Sequence, residues 1–337
     1  MLALLASFLT SVLIINICPI PANFAPEARI HNFVAWDKEV WSRAGNSIWS
    51  FSARNFPQLH LRPANADLAT TTAEKPDCPV RKPEASSFVL EQGSAAAWDE
   101  DNQTFLFQAR GEKKRPIASI SKLMTALVFL DNNPGWDHVY EITRQDRREG
   151  GRIFVYLGDR VQVKDLFNIS LVASANTATM ALVHSTGLTE EEFVKEMNSR
   201  AGDIGLVKTE FRDVSGLSRD NVSTAKEVVK LAQEALDAPE IREAVLREKY
   251  RFSTQQGDTR VVLSTDDLLK DFPYKNIDIR GGKTGYTPQA GYCFVGGFRK
   301  QGGENELISV ILGAEEEEDR FEKTRELIDW AYTSYRW

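Results

Sequence analysis

The order in which hydrophobic periodicities follow one another most constrains what this chain can fold into. From Ser86, the short apolar runs "SFVLE", "SAAAWD" and "TFLFQA" are separated by turn residues, the pattern of antiparallel strands. Residues 132–250 then switch period, with apolar positions three to four apart in "VKDLFNISLVASANTATMALVHS", "EEFVKEMNSRAGDIG" and "AKEVVKLAQEAL", as in helices. Strand-like runs return in "RVVLST", "GGKTGYT", "GYCFVGGFRK" and "ELISVILGA". A last helical stretch, "DRFEKTRELIDWAYTSYRW", clusters Phe321, Leu327, Ile328, Trp330 and Ala331 on one side. This order predicts an α/β architecture, an antiparallel sheet flanked by helices plus an all-helical lobe, without internal repeats.

The folded part is expected over residues 87–337, long enough for a full-sized core. Ahead of it, residues 1–17 form an uncharged apolar run, somewhat short of the roughly 20 residues that a spanning helix needs. Residues 1–22 are therefore expected to be a signal peptide or an N-terminal membrane anchor, and the protein to be exported, with any membrane association made through residues 1–17. Residues 23–86 read as a largely unstructured linker, with a short amphipathic helix around Val34–Phe51 as an option.

The formal net charge of -7, with no long basic run, excludes a nucleic-acid footprint. Cys18, Cys78 and Cys293 are far apart without a C-x-x-C pair, so neither a zinc cage nor a disulfide framework is indicated, and three inert thiols are expected. No metal or cofactor is implied.

The chemistry-bearing stretch is "PIASISKLMTAL", where Ser119 and Lys122 stand three apart and share a helical face at the start of an apolar helix. A lysine kept neutral by desolvation can take the proton of a serine hydroxyl, and a helix N-terminus favours the resulting negative charge. Ser121 is worse placed, because its neighbour Lys122 points about 100° away around the helix. The spacing alone is weak, and Ser223-Thr-Ala-Lys226 repeats it. There Thr224 and Glu227 make a capping box that opens a helix, a structural reading.

Two further elements follow in order: Ser174-Ala-Asn176 in the helical region and Lys283-Thr-Gly285 in the returning strands. An S-x-x-K followed by an S-D-N-like element and K-T-G marks penicillin-binding proteins and class A beta-lactamases. Over roughly residues 87–337 the chain resembles the D-alanyl-D-alanine carboxypeptidases, the low-molecular-mass penicillin-binding proteins. The resemblance extends to "FRDVSGL", "STAKEVVKLA", "LSTDDLL" and "GGKTGYTPQAGYCFVGG".

The resemblance implies a beta-lactamase/transpeptidase-like fold with its active site between sheet and helical lobe. It implies removal of the terminal D-alanine from peptidoglycan stem peptides ending in D-Ala-D-Ala, and covalent inhibition by beta-lactam antibiotics. It implies that Ser119 attacks, Lys122 acts as base, Ser174 relays a proton to the leaving amine and Asn176 holds the substrate amide. Lys283 would keep the field positive, and Thr284 and Arg320 would bind the terminal carboxylate. Main-chain N–H groups at Ser119 and Tyr286, beside Gly285, would bind the oxyanion. The acidic run ahead of Arg320 is a competing partner for its charge. The implied location is the periplasm or the outer face of a bacterial cytoplasmic membrane.

Four other readings compete. A muropeptide endopeptidase would use the same machinery. A class A beta-lactamase needs a glutamate in an E-x-x-L-N context, and none occurs between Ser174 and Lys283. A non-catalytic peptidoglycan binder has no need of an activated nucleophile. A Ser-His-Asp hydrolase lacks its G-x-S-x-G, and none of His31, His60, His138 and His184 falls in a catalytic context.

Overall fold

A computed structural model describes residues 78–303 and 305–337. The apolar run 1–17, the signal or anchor at 1–22, the Val34–Phe51 helix and the linker up to residue 77 lie outside the described residues.

Five strands form one antiparallel sheet: β1 (Ser94–Asp99), β2 (Thr104–Ala109), β3 (Ile277–Thr287), β4 (Gly291–Lys300) and β5 (Glu306–Ala314). Their order is β3-β4-β5-β1-β2, so β3 is an edge and β1 is interior. The apolar run of β5 is continuous because both faces are covered. Ile308, Val310 and Leu312 point into the core shared with the helical lobe, while Leu307 and Ile311 point into a second core. In β1, Ala95, Ala96 and Ala97 are fully buried, and their small side chains let helices approach both faces closely.

Among the described residues seven α-helices accompany the sheet: α1 (Ser121–Asp131), α2 (Val163–Val172), α3 (Asn176–Ser185), α4 (Glu190–Asp203), α5 (Ala225–Asp237), α6 (Pro239–Val245) and α7 (Asp319–Ser334). Helices α5 and α7 contact β5 and β1, with α7 laying Phe321, Leu327, Ile328 and Ala331 into the second core. Every residue of α1 from Ser121 to Phe129 is buried, so it is the central helix of its lobe, with α2, α3, α4 and α5 around it.

Several expectations change. Ser87–Glu91 is not a strand; Phe88 and Leu90 pack against the second core, with Phe88 edge-on to Phe107 at 5.0 Å. Between α1 and α2, residues 132–162 carry turns and a short strand pair, Val139–Glu141 with Arg160–Gln162, because Asn132-Asn133-Pro134-Gly135 stops the helix. Lys249–Ser253, whose first two residues were expected to be helical, pairs with Thr259–Leu263 as a hairpin. The closing helix ends at Ser334. Tyr335–Arg336 then pairs with Val80–Arg81, which holds residues ahead of 87 against the body. Cys78 is disulfide-bonded, so three inert thiols was the wrong expectation; Cys293 is free and buried. No helix among the described residues is long and apolar enough to cross a membrane.

Candidate active site

The edge strand β3 abuts the turn that precedes α1. Ser119 lies in a 3-10 turn, Ala118–Ile120, directly ahead of the helix. Ala118 holds φ +47°, a left-handed conformation that costs an alanine energy and is kept only where the surroundings impose it. Gly216 and Gly285 impose it. A Cβ on Gly216, itself at φ +84°, would stand 2.0 Å from Ala118 O, and one on Gly285 would stand 2.8 Å from Ile117 O and 3.2 Å from Ser119 N. Only glycines let a loop and the β3 backbone close on this turn, and that brings the β3 main chain at Gly285, one residue before Tyr286, against the Ser119 amide.

Lys122 is fully buried, and its Nζ lies 2.9 Å from Ser119 Oγ. It also donates to Asn176 Oδ1 at 2.8 Å and to Ser215 O at 2.5 Å. Both of these partners only accept, and a neutral amine has two N–H groups to give them. Its lone pair is then left for the Ser119 hydroxyl proton. Burial pushes the Lys122 amine down to about 7, with the Asp213 carboxylate acting in the opposite direction.

Asn176 opens α3. Its Nδ2 donates to Gly150 O at 2.9 Å, so both ends of its amide are engaged within the protein and it holds Lys122. Ser174, in the α2–α3 turn at φ +54°, has Lys283 Nζ 2.9 Å from its Oγ, and Lys283 also donates to Thr284 O at 3.0 Å. Lys283 is buried, and burial pushes its ammonium well down. The charges of Lys122 and Arg320 add to this, and Asp266 opposes it. Two lysines this deeply buried and coupled do not both stay charged readily. Ser119 and Ser174 are only partly buried, unlike Lys122 and Lys283.

Thr284 Oγ1 lies 2.6 Å from Thr265 Oγ1. Tyr286 is half exposed and stacks on Tyr292, ring centroids 4.2 Å apart. Arg320, at the first turn of α7, is buried, with its guanidinium over the Tyr292 ring at 5.4 Å, and it donates to Glu317 Oε1 at 2.6 Å. The acidic run therefore does engage it. The structure brings Ser119, Lys122, Ser174, Asn176, Lys283, Thr284 and Gly285 together, with Tyr286 at the rim. Arg320 stands behind Tyr292, and its charge is felt at Lys283.

Comparison with known proteins decides the family. The D-alanyl-D-alanine carboxypeptidase model, peptidase S11, matches residues 81–316. The chain belongs to this family. A D-alanyl-D-alanine endopeptidase of Haemophilus influenzae is 33% identical over 228 residues, 67% of this chain and 76% of the relative. The D-alanyl-D-alanine carboxypeptidase DacF of Bacillus subtilis is 27% identical over 256 residues, 74% of this chain but 64% of its own length. Among solved structures, penicillin-binding protein D2 of Listeria monocytogenes, in a cefotaxime-bound form, is 33% identical with a TM-score of 0.61, covering 73% of this chain and 99% of that one. A D-alanyl-D-alanine carboxypeptidase of Mycobacterium tuberculosis shares the fold at 24% identity and a TM-score of 0.67, over 75% of this chain and 96% of that one. The chain is thus a serine-peptidase family member with the penicillin-binding fold.

In this S11 peptidase the second S-x-x-K has no site around it. Ser223 Oγ meets Thr209 Oγ1 at 2.7 Å and Lys226 Nζ meets Glu112 at 2.8 Å. Thr224 caps α5 through the Glu227 amide, but the Glu227 carboxylate turns to Lys208 N and Thr209 Oγ1, so the expected capping box is only half made. Ser121 has its own use: its Oγ accepts from Asn221 Nδ2 at 3.0 Å, and Asn221 Oδ1 accepts from the amides of Arg212 and Asp213.

The supporting groups were not legible as such. Asp213 accepts from the amides of Ser215 and Gly216, each at 2.6 Å, and from that of Ser218, which fixes the loop whose Ser215 carbonyl holds Lys122. Asp-x-Ser-Gly is a turn signal, and it was the one available clue. Thr265, which also donates its amide to Val172 O, ties the Thr284 strand to the end of α2 next to Ser174.

Proposed function

We propose that this protein is a serine-type D-Ala-D-Ala carboxypeptidase that removes the terminal D-alanine from peptidoglycan stem peptides through an acyl-enzyme on Ser119. The dry, neutral-leaning Lys122 amine 2.9 Å from Ser119 Oγ carries this reading. Lys122 takes the hydroxyl proton as Ser119 Oγ attacks the penultimate D-alanine carbonyl. The oxyanion is met by the main-chain N–H groups of Ser119 and Tyr286, each such donor worth about 3–4 kcal/mol of barrier. Ser174, held by Lys283, gives its hydroxyl proton to the departing D-alanine amine and is re-protonated by the Lys122 ammonium, which returns Lys122 to the neutral amine. Water then attacks the ester, with Lys122 again moving the proton, and frees the shortened peptide.

Thr284 and Arg320 bind the terminal carboxylate of the substrate. Its arrival opposes the burial that depresses Lys283 and keeps that ammonium charged. Beta-lactams acylate the same hydroxyl. The substrate implies action outside the cytoplasm, which a disulfide at Cys78 suits.

A second reading, DD-endopeptidase action on D-alanyl cross-links, is favoured by the endopeptidase names of the Haemophilus influenzae relative and of a Pseudomonas aeruginosa relative 31% identical over 209 residues. The deciding assay follows free D-alanine released from a pentapeptide ending in D-Ala-D-Ala, beside cleavage of cross-linked dimers and turnover of a chromogenic cephalosporin. Rapid D-alanine release supports the carboxypeptidase. Dimer cleavage without it supports the endopeptidase, and cephalosporin turnover alone would overturn both.

A further inference from the structure

Arg320 is a fixed guanidinium whose charge is already answered. Its side chain is 4% exposed and lies between the faces of Tyr292, at 5.4 Å, and Phe321, at 4.6 Å. Tyr292 in turn stacks on Tyr286 at the cleft rim. Glu317, by contrast, is 64% exposed on the turn ahead of α7, and its carboxylate Oε1 accepts a hydrogen bond from Arg320 Nη2 at 2.6 Å. A buried cation thus pairs with a solvent-facing anion. Arg320 Nε, meanwhile, has no hydrogen-bond partner within the protein, so the guanidinium retains unused donor capacity.

We propose that Glu317 is an intramolecular stand-in for the substrate's terminal carboxylate, which Arg320 must exchange for the substrate on binding. This deepens the carboxypeptidase reading and rests on Arg320 as the carboxylate anchor. The exchange is chemically matched, carboxylate for carboxylate, and it spares the free enzyme an unpaired buried cation. It lowers apparent affinity by the fraction of Arg320 that is free, so Glu317 sets KM and leaves the acylation chemistry at Ser119 untouched. Its neighbours serve other ends: Glu316 donates its amide to Asp319, and Glu318 approaches Arg325 at 4.0 Å. Acids in this position also favour the α7 N-terminus, a role any of them fills.

The test compares Glu317→Gln with Glu316→Gln, which removes the same charge from the same run without touching Arg320. The substrates are a pentapeptide ending in D-Ala-D-Ala and its C-terminal amide. With one partner facing solvent the pair is only modestly strong, so Glu317→Gln is expected to lower KM for the free-acid peptide by roughly two- to five-fold at unchanged kcat. Glu316→Gln should leave it unchanged, and neither variant should alter KM for the amide. Equal effects of the two variants, or none from Glu317→Gln, overturn the stand-in while leaving the carboxypeptidase intact. An Arg320→Leu enzyme that still prefers the free acid overturns the anchor and the stand-in together. Failure of the wild type to release D-alanine overturns the functional reading beneath both.

Discussion

Lys122 Nζ stands 2.9 Å from Ser119 Oγ, three residues back along the chain, and no part of the lysine is open to solvent. A partly buried serine and a fully buried base are what acyl transfer from Ser119 requires: the nucleophile can meet substrate, and the amine is dry enough to be about half neutral at pH 7.

The pH dependence of acylation follows from that amine. Below a pKa of about 7 Lys122 holds its proton and cannot take another, so acylation by a beta-lactam should rise about tenfold per pH unit toward 7 and then level off. Asn176→Asp places a carboxylate on the Lys122 amine, which favours its charged form. The rising limb should move to higher pH, visible in stopped-flow acylation rates from pH 5 to 9. A limb that stays in place would mean that Lys122 is not the group titrating.

Gly285→Ala tests the closeness of strand and nucleophile turn. The new methyl meets Ile117 O and Ser119 N, so β3 must back away and carry the Tyr286 amide out of line. Acylation is expected to fall about 10²- to 10³-fold, the scale of losing one oxyanion donor, while the folded baseline in circular dichroism persists. Near-wild-type acylation would show that the main chain at 286 does not serve the reaction.

Asp213→Ala should strip the acceptor from the 213–218 loop. Its carboxylate accepts the Ser215, Gly216 and Ser218 amides, and charge-assisted bonds of this kind contribute about 1.5–3 kcal/mol. Denaturant unfolding should register a loss of that order. Acylation should fall as well, because Ser215 O no longer holds Lys122. Stability loss with acylation unchanged would separate the loop from the base.

Thr265→Val removes the 2.6 Å hydroxyl contact to Thr284 and keeps the shape. KM for a peptide with a free terminal carboxylate is expected to rise several-fold with kcat nearly unchanged, and KM for the corresponding amide should not move. A change in kcat alone would place Thr265 in the chemistry and not in binding.

Much of this architecture is legible in the sequence because burial on two faces leaves a continuous apolar run. β4 and β5 stand where "GYCFVGGFRK" and "ELISVILGA" place them. "SFVLE" misleads for the same reason: Phe88 and Leu90 are apolar because they cover the second core, and no neighbouring strand is needed for that. Within the site, the Ser119–Lys122 spacing is repeated at Ser223–Lys226, and the order of Ser174, Asn176 and Lys283 downstream singles it out. The Ser215 carbonyl is invisible in principle, since any residue has one, and Asp213 acts only on main chain. Arg320 is legible as a residue, but its pairing with Glu317 needs the α7 turn in three dimensions.

The most direct measurement is covalent labelling of the purified chain with a fluorescent penicillin, followed by mapping of the modified peptide. The label should fall on Ser119, vanish in Ser119→Ala, and persist in Ser223→Ala, whose hydroxyl is committed to Thr209. Labelling that survives Ser119→Ala, or that is lost instead in Ser121→Ala or Ser223→Ala, would contradict Ser119 as the nucleophile.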